Sequence, residues 1–136
     1  MFEATVKVYY EDTDAGGIVY HANYLKYMER SRCDWLDGLG YSVTDLIANE
    51  QIMFVVKEAQ LSYDSPARLF DTLTVKTRAL QVGKVKLIAE QTIYNGDQLL
   101  CQGLIKLATL NSSSYTLAPM PDGLRAALEK ERTNCN

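Results

Sequence analysis

The chain contains few cysteines, and their spacing excludes a disulfide framework. There are three, Cys33, Cys101 and Cys135. An odd number at wide, irregular spacing is typical of free thiols in a reducing compartment. No CxxC or Cys/His pattern indicates structural zinc. The cysteine content therefore predicts a cytoplasmic protein without a structural metal.

The chain also lacks a long apolar run and a strong charge of either sign. No stretch approaches the ~20 apolar residues of a membrane span. The N-terminus alternates between apolar and polar residues and does not resemble a signal peptide. The 14 Lys and Arg against 17 Asp and Glu give a formal charge of −3. We therefore expect no transmembrane segment and no general attraction to nucleic acid or anionic lipid.

What is present is the composition of an ordinary globular domain, with 47% hydrophobic and 23% charged residues. The length predicts a single domain over residues 1–136. Apolar and polar residues alternate from Phe2 to Tyr10, which is the period of a half-buried strand. Further strands are predicted at residues 52–63, 73–79, 84–93 and 99–110.

Two helices interrupt or follow these strands, and a third short one is plausible. Asn23 is a candidate N-cap of a helix that continues to about Asp37. Ser42, with Asp45 three positions later, predicts a short second helix. A C-terminal helix is expected at residues 123–132. The apolar stripe of the long helix is predicted at Leu25, Met28, Trp35 and Leu36. This order predicts an α+β fold, with an antiparallel sheet of about five strands around one central helix.

The most unusual composition lies between the first strand and the long helix. Residues 9–24 hold three carboxylates, the Gly16-Gly17 pair and the only histidine, His21. A helix N-terminus presents unpaired N–H groups and a partial positive charge, which can stabilise an oxyanion. A carboxylate there can attack a thioester or activate water, and a thiolate of pKa ~8.5 departs without protonation. The two glycines allow a ligand to approach the backbone closely.

The residue types alone leave other interpretations open. Acidic residues before a helix are commonly solvated charges that complement its dipole. A lone histidine is commonly a hydrogen-bonded structural residue. A metal-dependent hydrolase is a further alternative, because Glu11, Asp12, Asp14 and His21 suit Mg²⁺ or Mn²⁺. These residues come from one short segment, however, and the sequence offers no second cluster to complete a coordination shell.

The run from Tyr10 to Tyr24, YEDTDAGGIVYHANY, resembles the signature of the 4-hydroxybenzoyl-CoA thioesterase family. The similarity extends through Phe54-Val55-Val56, residues 63–68 and Asp71 to the last strand. Within the family, the chain is most similar to the bacterial Tol-Pal-associated acyl-CoA thioesterases. The resemblance implies the hot-dog fold, in which an antiparallel sheet wraps around a helix. It also implies hydrolysis of an acyl-CoA thioester without a metal or cofactor.

The resemblance implies roles for individual residues. The family's catalytic carboxylate falls at Asp14, as nucleophile or general base, with amides at the helix N-terminus polarising the carbonyl. Asp12 matches a second acidic position, which we interpret as structural. His21 falls where this subgroup carries histidine and benzoyl-specific enzymes carry an aromatic residue, so a fatty acyl group is expected. Tyr10 is a candidate residue of the catalytic pocket, with core packing as the alternative. Tyr24 joins the two glycines as a candidate substrate-binding residue.

Coenzyme A carries a 3′-phospho-ADP head, which requires cations on this net-acidic chain. Lys84 and Lys86 are two residues apart, so both side chains would leave the same face of a strand. Arg78 lies on the polar face of the preceding strand, and Arg68 follows the turn at Pro66. We expect these residues to form a phosphate patch, although an ordinary solvated surface explains any one of them.

The resemblance also implies a homo-oligomer, a dimer or a tetramer, with the site between subunits. The expected carrier of the thioester is coenzyme A or acyl carrier protein, and the sequence leaves both open. Two other functions stay open on the same fold. One is a non-catalytic acyl-binding or interaction module, because fold does not fix function. The other is dehydratase chemistry, in which the histidine and a carboxylate would move protons beside a thioester carbonyl.

Overall fold

The computed structural model describes residues 1–135, and its elements follow the predicted order. The strands are β1 (Phe2–Lys7), β2 (Ile52–Tyr63), β3 (Thr72–Val82), β4 (Lys86–Asn95) and β5 (Gln98–Asn111). The helices are α1 (Asn23–Gly38), α2 (Val43–Asp45, continued by a π turn at Leu46–Glu50) and α3 (Asp122–Asn134). A 3₁₀ turn at Tyr10–Asp12 lies between β1 and α1. Within the described range, each helix is too short or too polar to cross a bilayer.

The five strands form one sheet in the order β1-β3-β4-β5-β2, and every neighbouring pair is antiparallel. β1 and β2 are therefore its edge strands. The register shifts between Val56 and Glu58 in β2, and between Ala79 and Gln81 in β3. The predicted α+β class, with an antiparallel sheet around one central helix, is confirmed. The arrangement is the hot-dog fold.

The core lies between α1 and one face of the sheet. Burial alternates along β3 and β4, as the sequence predicted, so every second side chain points into the core. The largest buried side chains of α1 are Tyr27, Met28 and Trp35. Met28 lies over Gly103 of β5, where an added Cβ would be 2.8 Å from the Cε and Sδ of Met28. Glycine at this position therefore allows α1 to lie close to β5.

A chain of hydrogen bonds crosses this core. The Oγ of Ser31 lies 3.2 Å from Oγ1 of Thr77. Nε2 of Gln91, a fully buried residue, donates to the Met28 carbonyl and to Thr77 Oγ1, both at 2.9 Å. Nη1 of Arg32 donates to Gln91 Oε1 at 2.9 Å. This core polar network fixes α1 against β3 and β4, because a displaced helix would leave buried polar groups unpaired.

Two details of α1 differ from the sequence prediction. Ala22 occupies the N-cap position, and Asn23 is the first helical residue. The Asn23 amide instead donates to the Asp12 carbonyl at 2.8 Å, a tertiary contact that replaces the expected cap. Leu25 is 40% exposed and does not belong to the buried stripe. That stripe follows the helical period through Tyr24, Tyr27, Met28, Ser31, Trp35 and Leu36. The short helix at Ser42 is confirmed, with Ser42 Oγ accepting the Asp45 amide at 3.1 Å.

Candidate active site

The loop that precedes α1 is fixed to the segment between β2 and β3. The Val19 amide donates to the Ala67 carbonyl at 2.9 Å. Ile18 forms an isolated antiparallel bridge with Arg68. Within the loop, the Asp14 amide donates to the Ile18 carbonyl at 2.9 Å. These bonds hold a tight turn, residues 14–18, against the start of the connection to β3.

Asp14 lies at the beginning of this turn, and the two glycines shape it. Asp14 Oδ1 accepts the Gly16 amide at 2.8 Å, and the Asp14 carbonyl accepts the Gly17 amide at 3.0 Å. Gly17 has φ +77°, a left-handed conformation that favours glycine. The side chain of Asp14 is exposed. The turn therefore presents an accessible carboxylate with one oxygen held by a backbone donor.

Asp12 holds the base of the loop. Its Oδ2 accepts the Tyr9 amide at 2.9 Å. Its carbonyl accepts the Tyr20 amide at 2.9 Å in addition to the Asn23 side chain. These three bonds join the end of β1 to the start of α1. They support the interpretation of Asp12 as a structural residue.

A cavity of about 320 Å³ lies beside the N-terminus of α1. His21 and Tyr24 line it together with Tyr63, the last residue of β2. The Tyr63 hydroxyl donates to the His21 carbonyl at 3.1 Å, and the two rings meet edge-on with centroids 6.2 Å apart. The other lining residues are Ile18, Val19, Asp64, Ser65 and Pro66. The sequence predicted His21 and Tyr24 as site residues, and the structure brings these two together.

Tyr24 connects this cavity to the buried interior. Its hydroxyl accepts the amide of the buried Ala67 at 3.1 Å, and its ring meets Tyr63 edge-on at 5.6 Å. Burial raises the pKa of the Tyr24 phenol, so the hydroxyl is neutral at physiological pH. Tyr24 thereby fixes the start of α1 to the segment after β2.

Residues 63–66 line this cavity, but the sequence did not predict them as site residues. The sequence identified Asp64-Ser65-Pro66 only as a turn. Tyr63 is 42 residues from His21 in the chain, and no local pattern indicates their contact. The one available signal was the family resemblance at residues 63–68.

Asp14 and Tyr10 are not among the residues that line this cavity. Tyr10 is 73% exposed, and its ring packs edge-on against Phe70 at 5.5 Å. This exposure contradicts the core-packing alternative for Tyr10. It lies on the surface because the chain leaves β1 at Lys7 and turns at Tyr10–Asp12. Within one chain, Asp14 therefore lies on the turn at one side of the cavity, not in its wall.

The predicted phosphate patch is not assembled as expected. Arg78 Nε lies 2.9 Å from Glu90 Oε1, so the guanidinium already has a carboxylate partner. Lys84 lies in the bend before β4, not on the strand, and the argument that Lys84 and Lys86 share a strand face is wrong. The reason is a tight turn, closed by a 2.7 Å bond from the Gly83 amide to the Lys86 carbonyl.

Lys86 also lies far from the cavity in the same chain. It pairs with Ala108 of β5, whereas Tyr63 pairs with Cys101. These two β5 positions are seven residues apart, which corresponds to about 23 Å along the strand. The cavity and the lysines are therefore at opposite ends of one sheet.

Residues 1–135 contain no cluster of side chains that could act as ligands for the alternative function, a metal-dependent hydrolase. No three His, Cys, Asp or Glu side chains in this range are placed to hold an ion together. One carboxylate oxygen of Asp12 accepts the Tyr9 amide, and one of Asp14 accepts the Gly16 amide. The described residues thus give the metal-dependent hydrolase no positive support.

A carboxylate-bearing loop at the start of the central helix of a hot-dog sheet defines a class of small thioester hydrolases. The chain matches the thioesterase-like superfamily over residues 8–128 and belongs to that family. It is similar to the acyl-CoA thioesterase YbgC of Haemophilus influenzae, with 36% identity over 126 residues that cover 93% of each chain. The acyl-CoA thioester hydrolase YbgC of Escherichia coli is 41% identical over 100 residues, 74% of each chain.

A solved structure shows the same similarity in three dimensions. The gentisyl-coenzyme A thioesterase BH1999 superposes with a TM-score of 0.85 at 26% sequence identity. The match covers 93% of this chain and 98% of that one. Together, these similarities confirm the predicted family, fold and enzyme class, a thioester hydrolase.

Proposed function

We propose that this chain hydrolyses the thioester bond of a fatty acyl-CoA, with Asp14 as nucleophile or general base. The main support is the accessible Asp14 carboxylate, held by the Gly16 amide at 2.8 Å on a turn beside the N-terminus of α1. The adjoining cavity has mainly apolar and aromatic walls, as an acyl group requires. Relatives that match most of the chain are named acyl-CoA thioesterases.

Two reaction routes are consistent with the proposed hydrolysis of the thioester. In one, the Asp14 carboxylate attacks the thioester carbon, releases the coenzyme A thiolate and forms an anhydride, which water then cleaves. In the other, Asp14 takes a proton from water as the water oxygen attacks the thioester carbon, and the tetrahedral intermediate then breaks its C–S bond and releases the coenzyme A thiolate. The backbone amides of His21 and Ala22 are the proposed donors to the carbonyl oxygen. Neither amide donates to a backbone carbonyl in the part of the chain that the structure describes.

The remaining proposed site residues position the substrate. Gly16 and Gly17 leave room for the thioester to approach the turn. The Tyr24 ring supports the acyl group, and the His21 imidazole orients the carbonyl or the attacking water at the cavity wall. Tyr10 is kept as a candidate contact on the outer side of the turn, where its ring is accessible.

We further propose a homodimer through the outer edge of β2, able to assemble into a tetramer. β2 has 12 residues, no neighbour on one side among residues 1–135, and an exposed apolar side chain at Val56. A long exposed edge of this kind favours pairing with another strand. Antiparallel pairing about the middle of β2, near Glu58, would bring the partner subunit's Lys86 towards the Tyr63 end of this chain. The partner's lysines would then contact the coenzyme A phosphates, which Lys86 cannot reach within its own chain.

The proposed carrier of the acyl group is coenzyme A, and the proposed compartment is the cytoplasm. A phosphate patch of Lys84 and Lys86 suits coenzyme A, and the phosphopantetheine of acyl carrier protein is the alternative. Arg78 contributes least, because Glu90 already neutralises it. The three cysteines are unpaired, which supports a reducing compartment and therefore the cytoplasm. We also propose that residues 1–136 form a single domain.

A thiol-release assay tests this function directly. Saturated acyl-CoAs of increasing chain length are compared with benzoyl-CoA and gentisyl-CoA, each with and without EDTA. We expect kcat/KM to be highest for a fatty acyl-CoA and unchanged by EDTA. A preference for the aromatic substrates would reassign the acyl group to the class named in BH1999. Specific binding of acyl-CoA without any thiol release would instead support the non-catalytic module.

A further inference from the structure

Phe70 has a backbone conformation that is rare for an aromatic residue. It lies in the turn before β3 with φ +66°, in the left-handed region that favours glycine. Such a conformation costs free energy and persists only where the surrounding structure holds it. Burial does not offset this cost, because Phe70 is 52% exposed. Strain at an exposed side chain indicates a functional constraint, since the residue gains little from folding.

Four hydrogen bonds hold the turn at residues 68–71 in this conformation. The Phe70 amide donates to the Val8 carbonyl, and the Val8 amide donates to the Asp71 carbonyl, both at 2.9 Å. Oδ2 of Asp71 accepts the Arg68 amide at 2.9 Å, and the Asp71 amide donates to the Arg68 carbonyl at 3.1 Å. The turn is therefore fixed to the residue that follows β1, and it presents the Phe70 ring at a defined position on the surface.

The Phe70 ring contacts Tyr10, which the sequence predicted as a catalytic residue. The two rings meet edge-on at an interplanar angle of 79°, with centroids 5.5 Å apart. This is a favoured geometry for an aromatic pair. Nζ of Lys7 lies 5.7 Å from the Phe70 centroid and adds a cation–π contact. Tyr10 is 73% exposed. Phe70 therefore restricts the ring of a side chain that is otherwise largely surrounded by solvent.

The two contacting segments border the turn that carries Asp14 on its two sides. The Tyr10 carbonyl accepts the Thr13 amide at 3.2 Å and the Thr13 hydroxyl at 3.0 Å, immediately before Asp14. At the other end of the Asp14 turn, Ile18 forms the isolated bridge with Arg68, which begins the strained turn. The aromatic pair thus joins two segments that are each bonded to the catalytic loop.

We propose that Phe70 is a positioning residue, whose ring holds the Tyr10 side chain beside the Asp14 turn, where Tyr10 contacts the reacting thioester. The inference rests on the proposed function, because it gives Tyr10 a part in thioester hydrolysis. A ring that is already oriented loses little conformational freedom when the transition state forms, which lowers the barrier. The strained backbone is retained because a residue without a ring would leave Tyr10 free to rotate.

Two substitutions at position 70 separate the ring from the strain. Phe70→Asn removes the ring but relieves the strain, because asparagine tolerates the left-handed region, whereas Phe70→Tyr keeps both. In the thiol-release assay, kcat of Phe70→Asn should fall about three- to tenfold, as expected for the loss of one aromatic pair, with KM changed less than about twofold. Phe70→Tyr should retain at least about half of the wild-type kcat.

Thermal unfolding shows whether Phe70 only supports the fold. Phe70→Asn should have a Tm equal to or above that of the wild type, because the relieved strain compensates for the lost contact. Tyr115→Asn is the matched control for strain relief, because Tyr115 is also an exposed aromatic residue in the left-handed region, with φ +58°. Its Tm should likewise not fall. A Tm of Phe70→Asn clearly below the wild-type value would make Phe70 structural and contradict the inference.

A double-mutant cycle with Tyr10→Ala tests whether Phe70 acts through Tyr10. Tyr10→Ala should lower kcat at least as much as Phe70→Asn does, and Phe70→Asn should then lower kcat no further in that background. An active wild type with unchanged kcat in Phe70→Asn would overturn the inference. A loss of equal size in both backgrounds, or dissociation of the oligomer on gel filtration, would also overturn it. A wild-type protein that releases no thiol would instead refute the proposed function, and the inference with it.

Discussion

The backbone amide of Gly16 donates a hydrogen bond of 2.8 Å to Oδ1 of the Asp14 carboxylate. A Cβ built on Gly16 would lie 3.2 Å from the same Asp14 oxygen, so a side chain there would press on the carboxylate. The turn between β1 and α1 thus restricts the orientation of Asp14 before any substrate binds. Such pre-organisation favours a catalytic group, because little has to be reordered during the reaction.

Asp14→Asn should abolish turnover without disturbing the fold. The side-chain oxygen of asparagine can still accept the Gly16 amide, but the amide group is neither a nucleophile nor a base. We expect kcat to fall at least about a hundredfold, or ~2.7 kcal/mol, with an unchanged circular dichroism spectrum. Asp97→Asn, in the exposed turn between β4 and β5, is the matched control. Retention of more than about a tenth of the wild-type kcat would reject Asp14 as the catalytic carboxylate.

The His21→Ala variant distinguishes a catalytic role of the His21 imidazole from a structural role. If the ring orients the carbonyl or the water, kcat should fall about ten- to a thousandfold with the oligomer intact. Tyr63→Phe provides the comparison, because it removes the bond to the His21 carbonyl and leaves the imidazole. We expect a smaller effect on kcat from Tyr63→Phe. Near-normal kcat combined with a lower Tm in His21→Ala would make the residue structural.

Charge reversal at Lys86 tests whether the site is shared between subunits. Lys86→Glu should raise KM for acyl-CoA more than it lowers kcat, because a phosphate contact contributes uniform binding. A pantetheine thioester that lacks the nucleotide should be unaffected. Mixing Lys86→Glu with Asp14→Asn should restore about a quarter of the wild-type kcat/KM, because half of randomly formed dimers are mixed and each holds one intact site. Activity no higher than the sum of the parents would place the lysine and carboxylate outside a shared site.

Cys101 should make the protein less stable at alkaline pH. Burial raises the pKa of the Cys101 thiol to about 12, whereas an unfolded cysteine titrates near ~8.5. Above the lower value the unfolded state binds fewer protons than the folded state, so the free energy of unfolding falls as pH rises. At pH 10 this loss amounts to about 2 kcal/mol relative to neutral pH.

Cys101→Ala should therefore reduce the difference in unfolding free energy between pH 7 and pH 10 by roughly that amount. Urea denaturation at the two pH values measures it, and the packing loss of the substitution cancels in the comparison. Leu100→Ala, at the neighbouring buried position of β5 that carries no ionisable group, serves as the control and should leave the difference unchanged. An equal difference in wild type and Cys101→Ala would contradict the assignment.

The elements that the sequence predicted well are those fixed by local periodicity. The alternation of β3 and β4 and the Ser42 cap needed no knowledge of distant residues. The expected Asn23 cap failed because the Asn23 side chain forms a tertiary bond with the Asp12 carbonyl. Lys84 was misplaced because the alternating pattern continues through the turn at Gly83, although the strand does not.

The candidate site was predicted only in its local part. Asp14, His21 and the glycines lie within eight positions of one another, and the resemblance assigned their roles. Tyr63 and Gln91 could not be found in this way, because their contacts with His21 and Arg32 join segments 42 and 59 residues apart. Such pairings depend on the sheet order, which the alternation of a single strand does not encode.

The contact between Gly103 and Met28 predicts how related chains can vary. The helix lies at its present height above β5 because the strand presents only a hydrogen atom beneath a long thioether. A homologue with alanine at position 103 must carry a shorter side chain at position 28, or its helix must rise from the sheet. The two positions should therefore covary across relatives, and a helix that rises would carry Asn23 and Tyr24 away from the loop they fix.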